Sequence, residues 1–412
     1  MTTPESMLSR DPLALSTASR PDQRMAHRFR FDDPDMDLFF MSATSWGPTG
    51  GLDIGQINHV ATQIVDGDAD SWVDAFAGYA ALQRQQADTW AARGWQREAG
   101  EARLKAFASF RSAWQFADAG GARFSALYAQ QRATFAQAMQ ELGLPATFFQ
   151  VPFDGHALPG VFLRHADATA PVVLVVGGAD TSLEDLFLSV GRALLERGFS
   201  VALVDLPGQG NTAADGLYWS TEPEHAIAAV VDALIERFHA RAGRIALIGL
   251  SLGGYFVARA AQFDARFATV IASTPFPHPG ELFERSARAD QARVAQGQQP
   301  TSSALRSRRM MAWKAGVGSA EQLLARWRDA HADPRQVTVP FLSIVGGGDS
   351  PIFVNQALQW HAQLASPHTS LVVLDASTGA DGHCQVAARL RLVQEACGWM
   401  RGIFHADIVP ES

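Results

Sequence analysis

Three residues of this chain have the types and the order that nucleophilic acyl chemistry requires. Ser251 stands in Gly249-Leu250-Ser251-Leu252-Gly253-Gly254, between an apolar run, Arg244-Ile245-Ala246-Leu247-Ile248, and the segment Tyr255-Phe256-Val257-Ala258-Arg259-Ala260-Ala261. The first flank reads as a buried strand and the second as the start of a helix. A G-x-S-x-G segment at such a junction puts the serine on a tight, strained turn with its hydroxyl clear of the backbone. Side chains beside it would collide where strand and helix meet, so Gly249 and Gly253 are required there.

A serine hydroxyl is a weak nucleophile at neutral pH; it needs a base, and the base needs an orienting acid. For a serine on such a turn the chain order is serine, acid, histidine. Asp349, in Gly346-Gly347-Gly348-Asp349-Ser350-Pro351 directly after the apolar run 341–345, is the candidate acid. His383, in Gly379-Ala380-Asp381-Gly382-His383-Cys384, is the candidate base, on a glycine-flanked loop that can reach back to the serine. Asp381 is the nearest rival acid, but it sits too close to His383 in sequence to orient the ring from its far side. Among the other histidines, His225 is kept as a pocket candidate.

A developing oxyanion needs donors. The N–H of Leu252 is the expected first donor, and the second comes from Gly177-Gly178-Ala179-Asp180-Thr181, from either Ala179 or Gly178. Asp180, a carboxylate beside that site, is a candidate substrate-binding residue; with Thr181 it is also a candidate cap for the next helix. Trp46, Tyr218, Trp219 and Trp313 are candidate walls of a large apolar pocket. No glycine-rich loop makes a phosphate-binding or dinucleotide-binding pattern between strand and helix, and no Cys/His cluster has zinc spacing. Neither a cofactor nor a metal is expected.

These residues need a scaffold. Apolar runs at 172–176, 200–204, 244–249, 268–272, 341–345 and 371–374 alternate with helical patterns at 183–196 and 225–240, which predicts a mostly parallel sheet covered on both faces, an α/β fold. Ahead of it, 147–153 and 158–164 read as a hairpin turning at Asp154-Gly155-His156. From about 29 to 142 the pattern is helical, with runs at 69–93, 97–117 and 124–142. The expected organisation is a disordered tail over 1–25, a helical domain over 26–145, and a catalytic domain over 146–412 with a helical insertion at about 276–337.

The chain has 412 residues, 47% of them hydrophobic, and a formal net charge of −8. That size allows two domains. The negative balance and the lack of a basic run argue against nucleic acid or an anionic membrane as partner. Two cysteines, Cys384 and Cys397, do not make a disulfide framework. With no signal-peptide core and no spanning run, the expectation is a cytoplasmic protein acting on a small apolar or aromatic ketone or ester.

From about 147 to 397 the sequence resembles the α/β-hydrolase superfamily, through the turn at Ser251, Asp349 after a late strand and His383 in a late loop. The helical N-terminal part, Gly177-Gly178-Ala179-Asp180-Thr181 and Asp205-Leu206-Pro207-Gly208-Gln209-Gly210 are similar to a subgroup containing 2,6-dihydropseudooxynicotine hydrolase, the yellowish-green heptaketide hydrolase of fungal melanin synthesis and the FrsA-like proteins. The resemblance implies a Ser251–His383–Asp349 triad, cleavage of a carbon–carbon bond next to a ketone, and a helical cap over the serine. It also implies a homodimer, and an extra acid near the cap, for which Glu281 and Glu284 lie in a suitable stretch. Ester, thioester or lactone hydrolysis, or acyl transfer, by the same triad is the alternative.

Overall fold

The computed structural model describes residues 24–406. Among the described residues, five α-helices precede the sheet: α1 (Pro34–Ser45), α2 (Ile54–Ala61), α3 (Ala69–Ala92), α4 (Gln96–Gln115) and α5 (Ala122–Glu141). The last three fall where the apolar periodicity puts them. The sequence marked 29–68 as helical without separating α1 and α2. Asp33 starts α1 by accepting from the amides of Asp35 and Met36, with a proline at the first helical position. Helix α4 is enclosed by α3 and α5 and is buried on almost every side. At its start Gln96, Arg97, Glu98 and Glu101 are exposed, and polar side chains further along are partnered within the fold. Arg103 binds Glu141 at 2.7 Å and Asp88 at 2.8 Å, and the Ser112 carbonyl accepts from the Trp72 indole at 2.7 Å.

The sheet has eight strands: β1 (Ala146–Phe153), β2 (His156–Leu163), β3 (Val172–Val176), β4 (Ser200–Val204), β5 (Ile245–Leu250), β6 (Phe267–Ser273), β7 (Phe341–Gly346) and β8 (Thr369–Leu374), in the order β1-β2-β4-β3-β5-β6-β7-β8. From β3 to β8 all pairings are parallel, whereas β2 runs antiparallel to β1 and β4. The hairpin turn is tighter than the sequence indicated. Asp154 and Gly155 alone form it, both at positive φ (51° and 77°), and His156 already pairs with Phe153.

Side chains alternate across the central strands. Val173, Val175, Val201, Leu203, Ala246 and Ile248 join one apolar cluster with α1–α5. Leu174, Val176, Ala202, Val204, Ile245 and Leu247 join another on the opposite face. The helices ahead of the sheet thus share a continuous core with it.

Helices α6 (Leu183–Leu186) and α7 (Arg192–Leu195), joined by a π-helical turn at Phe187–Gly191, follow β3, and α8 (Glu224–Phe238) precedes β5. Helix α9 (Leu252–Phe263) follows β5. The stretch between β6 and β7 holds α10 (Pro279–Ala295), α11 (Ser302–Ala315) and α12 (Ala320–Trp327). It is tied back to the N-terminal region where Thr301 and Ser303 donate to Asp33 Oδ2. Helices α13 (Pro351–Gln363) and α14 (Arg389–Ala406) complete the fold.

Of the expected tail, residues 1–23 lie outside the described residues. Its last two members are packed rather than free. The Arg24 carbonyl accepts from the His383 amide at 2.8 Å, and Met25 is buried with Leu38 and Val386. Among the described residues, no helix is long and apolar enough to cross a membrane.

Candidate active site

Strand β3 lies between β4 and β5, so the chain reverses its direction of travel across the sheet there. Loops that leave the carboxyl ends of strands on either side of such a point open a crevice between them. The loop after β3 carries Gly178, and the turn after β5 carries Ser251.

Ser251 has φ 55° and ψ −119°, a backbone conformation that side-chain-bearing residues rarely adopt. Its amide donates to the Ser273 carbonyl at 2.8 Å, which fixes the turn against the end of β6. A Cβ on Gly253 would come within 2.6 Å of the Gly177 carbonyl, and one on Gly249 would overlap the Gly253 carbonyl. Gly254, which sequence reasoning did not single out, is equally confined: a Cβ there would overlap the Thr274 carbonyl.

His383 Nε2 lies 2.8 Å from Ser251 Oγ, and His383 Nδ1 lies 2.7 Å from Asp349 Oδ2. The other carboxylate oxygen, Oδ1, accepts from the Ser350 amide at 2.7 Å. Asp349 and His383 are both buried. Burial alone would lower the histidine pKa; the Asp349 charge overrides it and holds the pKa above the ordinary histidine value. The Phe353 ring, 4.5 Å away by centroids, flanks the imidazole. Asp381 does not reach the histidine ring. Its carbonyl instead accepts from the Gly348 amide at 2.9 Å, joining the acid loop to the histidine loop.

A cavity of about 730 Å³, including its open mouth, faces Ser251. Leu38, Phe39, Trp46 and Trp72 give it an apolar wall, and Arg111, Gln115, Asp180, Asp185 and Arg389 a polar one. Gly178 and Ala179 line it next to the serine. Leu252 is the first residue of α9, where a backbone N–H has no partner within the helix. Trp46 is held by an indole hydrogen bond to Ser189 Oγ at 3.0 Å. Asp180 takes Arg111 on its carbonyl at 2.5 Å, and the helix cap expected of it belongs to Ser182 instead, in a capping box with Asp185.

The other three candidate wall residues, Trp219, Tyr218 and Trp313, lie elsewhere, as do Glu281, Glu284 and His225. Trp219 is buried against Trp327. Tyr218 is largely exposed and covers Gly316. Trp313 packs edge-on against Phe124, at 5.1 Å between centroids. Glu281 accepts from Gln356 at 2.9 Å, and Glu284 pairs with Arg288 along α10. His225 is exposed on α8. Each is drawn to the core or to solvent by its own element. The residues that sequence reasoning missed, Arg111 and Gln115, sit four apart on α4 among Phe107, Phe110 and Trp114. Polar residues on a helix otherwise rich in apolar ones were the available signal.

Behind the loop that carries Ala179 lies a buried set of charges. Lys314 donates to the Ala179 carbonyl at 2.9 Å and sits 5.0 Å from the centre of the Trp114 ring. Burial pulls its pKa down to about 8. Burial likewise raises the pKa of Asp205 and of Glu184, the latter paired with Arg132 at 3.1 Å. Among the described residues, no group of three His, Cys, Asp or Glu side chains is placed to hold a metal ion.

A strand–turn–helix serine at the switch point of such a sheet defines an α/β hydrolase, and the chain belongs to that family: the profile described as Alpha/beta hydrolase family matches residues 172–398. The more particular Esterase FrsA-like profile matches residues 49–283, which takes in most of the helices before the sheet. Hydrolyase poxO of Penicillium oxalicum is 30% identical over 264 residues, covering 61% of this chain and 62% of that protein. The 20-hydroxy-prefusarin hydrolase FUS2 of Gibberella moniliformis is 30% identical over 251 residues, covering 58% and 59%. The chain thus spans about three fifths of the length of these relatives.

Among solved structures, 2,6-dihydroxy-pseudo-oxynicotine hydrolase is similar with a TM-score of 0.70 at 20% identity, covering 88% of this chain and 96% of that one. AbyA5 is similar with a TM-score of 0.61 at 14% identity, covering 92% and 100%. At these identities the likeness is one of fold.

Proposed function

We propose that this chain is a serine hydrolase that cleaves a carbon–carbon bond next to a ketone, in a β-dicarbonyl or polyketide-like substrate. The hydrogen-bonded series Ser251–His383–Asp349 at the floor of the cavity carries this reading. Ser251 Oγ bonds to the ketone carbon as His383 Nε2 takes its proton, and Asp349 holds the imidazolium. The carbonyl oxygen gains the negative charge and is received by the N–H groups of Leu252 and of Ala179 or Gly178. As the tetrahedral centre collapses, the bond to the neighbouring carbon breaks. Its electron pair passes to that fragment, where the second carbonyl holds it as an enolate, and His383 returns the proton to carbon. Water, deprotonated by His383, then attacks the acyl carbon, and His383 returns that proton to Ser251 Oγ as the ester bond breaks.

The apolar wall supports an aromatic or polyketide-like substrate, and the relative named 20-hydroxy-prefusarin hydrolase FUS2 supports hydrolysis of a small organic compound. The N-terminal helical region, over 26–145, serves as the cap, since α1 and α3 supply that wall and α4 adds Arg111 and Gln115 to the polar one. Ester hydrolysis by the same residues is the second reading, favoured by the match to the Esterase FrsA-like profile.

The test is intact mass spectrometry after fluorophosphonate treatment, beside turnover of acetylacetone and of para-nitrophenyl acetate. Labelling that vanishes in Ser251→Ala, with diketone cleavage, is the expected result. Ester cleavage without diketone cleavage would select the second reading. A folded protein that neither labels nor turns over either compound would end both.

A further inference from the structure

The loop after β3 is gripped from the side away from the cavity. Gln209 Nε2 donates to the Gly177 carbonyl at 2.5 Å and reaches the Gly178 carbonyl at 3.4 Å. The Gly178 carbonyl also accepts from Thr181 Oγ1 at 3.1 Å. Lys314 holds the next carbonyl, that of Ala179, and the Gly210 amide donates to the carbonyl of Thr181 at 3.0 Å. Neither Gln209 nor Lys314 lines the cavity.

Gln209 is fully buried, a place that an apolar side chain could have filled. Its amide has one orientation that fits. Oε1 accepts from the Leu206 amide at 3.0 Å, and a flipped amide would set NH2 against that N–H and oxygen against the two glycine carbonyls. The backbone beneath it is fixed as well. The Gln209 amide donates to the Leu206 carbonyl at 2.9 Å, and the Gln209 carbonyl accepts from the Thr212 amide at 3.1 Å and the Thr212 hydroxyl at 2.9 Å. The peptides from Gly177 to Gly178 and from Gly178 to Ala179 are trans, so each N–H points opposite to its own C=O. The two carbonyls that meet Gln209 share those peptides with the amides of Gly178 and Ala179. Both amides therefore face away from Gln209. Among the described residues neither finds an acceptor in the protein, and both residues line the cavity beside Ser251.

We propose that Gln209 is a positioning residue for the oxyanion. It holds the Gly177 and Gly178 carbonyls back and so keeps the Gly178 and Ala179 amides turned into the cavity, where they join Leu252 in receiving the charge. This deepens the nucleophile reading of Ser251 and rests on it. It also gives the loop after β4 a part in the chemistry: Gln209 sets the donor geometry of the loop after β3 without touching substrate or serine. Donors fixed in advance need no reorganisation as the charge develops, and that is the source of their effect. Without the Gln209 amide the two carbonyls lose their anchor and the peptides can turn. The loss then falls on the oxyanion and spares the neutral ketone.

Calorimetry with two ketones of one skeleton separates these states. Benzylacetone binds as the neutral ketone. Its trifluoromethyl analogue is activated for addition: Ser251 Oγ bonds to the carbonyl carbon, the serine proton passes to His383, and the carbonyl oxygen takes the negative charge. The parent protein is expected to prefer the fluorinated ketone. Gln209→Leu, and Gln209→Met as the variant closer in length, remove the amide at similar size. Both are expected to lower that preference about tenfold to a hundredfold and to leave benzylacetone binding within about twofold. A merely structural role would weaken both ketones in parallel. A parallel loss, an unmoved preference, or loss of folded protein in both variants would overturn the proposal. Fluorophosphonate labelling of the parent keeps the two readings apart. A parent that is labelled and prefers the fluorinated ketone, with variants that match it, sinks the role of Gln209 alone. A parent that is not labelled and binds neither ketone, or binds both alike, sinks the nucleophile reading and this one with it.

Discussion

A Cβ on Gly178 would lie 2.7 Å from the Cβ of Ser251 and 3.3 Å from its Oγ. The loop after β3 therefore touches the nucleophile candidate directly, and glycine is the residue that allows the contact. Gly178→Ala must displace either the serine or the loop that is proposed to receive the oxyanion. The expected result is a fall in kcat of about 10²–10³, the scale of losing one oxyanion donor, with little change in melting temperature. Steady-state kinetics on whichever substrate is turned over measures it. An unchanged kcat would remove this loop from the proposed chemistry.

The pH profile tests His383. Its pKa is raised in the folded protein, so the neutral form that can act as a base appears only above the ordinary histidine value of about 6.5. The kcat/KM is expected to rise with pH through a midpoint above that value. Asp349→Asn removes the largest raising charge, leaving burial and the weaker influence of Cys384, so the midpoint should move to lower pH while the plateau falls by about 10³–10⁴. Stability has the same linkage. A raised pKa in the folded state stabilises fully below the unfolded value and loses that contribution as pH climbs through the folded one. The stability gap between the parent and Asp349→Asn should therefore narrow as pH rises, as read from urea melts in a pH series.

Gly254 offers a test of packing rather than chemistry. Its Cα faces the Thr274 carbonyl across a gap too narrow for a methyl group, and backbone cannot yield as a side-chain tip does. Gly254→Ala is expected to cost about 3 kcal/mol or more, seen as a lowered urea midpoint or loss of soluble protein. A melt like that of the parent would show that α9 can shift away from the end of β6.

Arg103 holds α4 to α3 and α5 through Asp88 and Glu141. The Arg103 and Glu141 side chains are both largely buried. Removing one partner from a buried pair costs about 3–5 kcal/mol when the other charge is left unpaired; here Asp88 still holds Arg103, so Glu141→Leu alone should be destabilising by less than that. Arg103→Met with Glu141→Leu should recover much of the loss. A double variant no more stable than the single one would contradict this account of the clasp.

The elements that position the site were legible because their signals are local. Apolar runs marked the buried strands, and periodicity marked α3, α4 and α5. The turn at Ser251 announced itself through glycines whose necessity is a matter of a few atoms on neighbouring residues. Asp349 and His383 were candidates from chain order and from their places after late strands, where loop residues reach the carboxyl edge of a sheet, and they stand within hydrogen-bond reach of Ser251 and of one another.

The walls of the cavity had no such local mark. Trp46, Trp219 and Trp313 are alike in sequence as large amphipathic rings, yet only Trp46 faces Ser251, since α1 lies over the cavity and the other two are turned into the core. Arg111 and Asp185 are distant in the chain and meet because α4 packs against the loop at the switch point of the sheet. Arg389 joins them from the start of the last helix. The strand-turn-helix serine and the alternation of strands and helices could be read along the chain, since each depends on neighbours in sequence. Tertiary structure decided which side chains share the cavity and which of their polar atoms stay unpaired, because those are set by how distant elements pack and twist past one another.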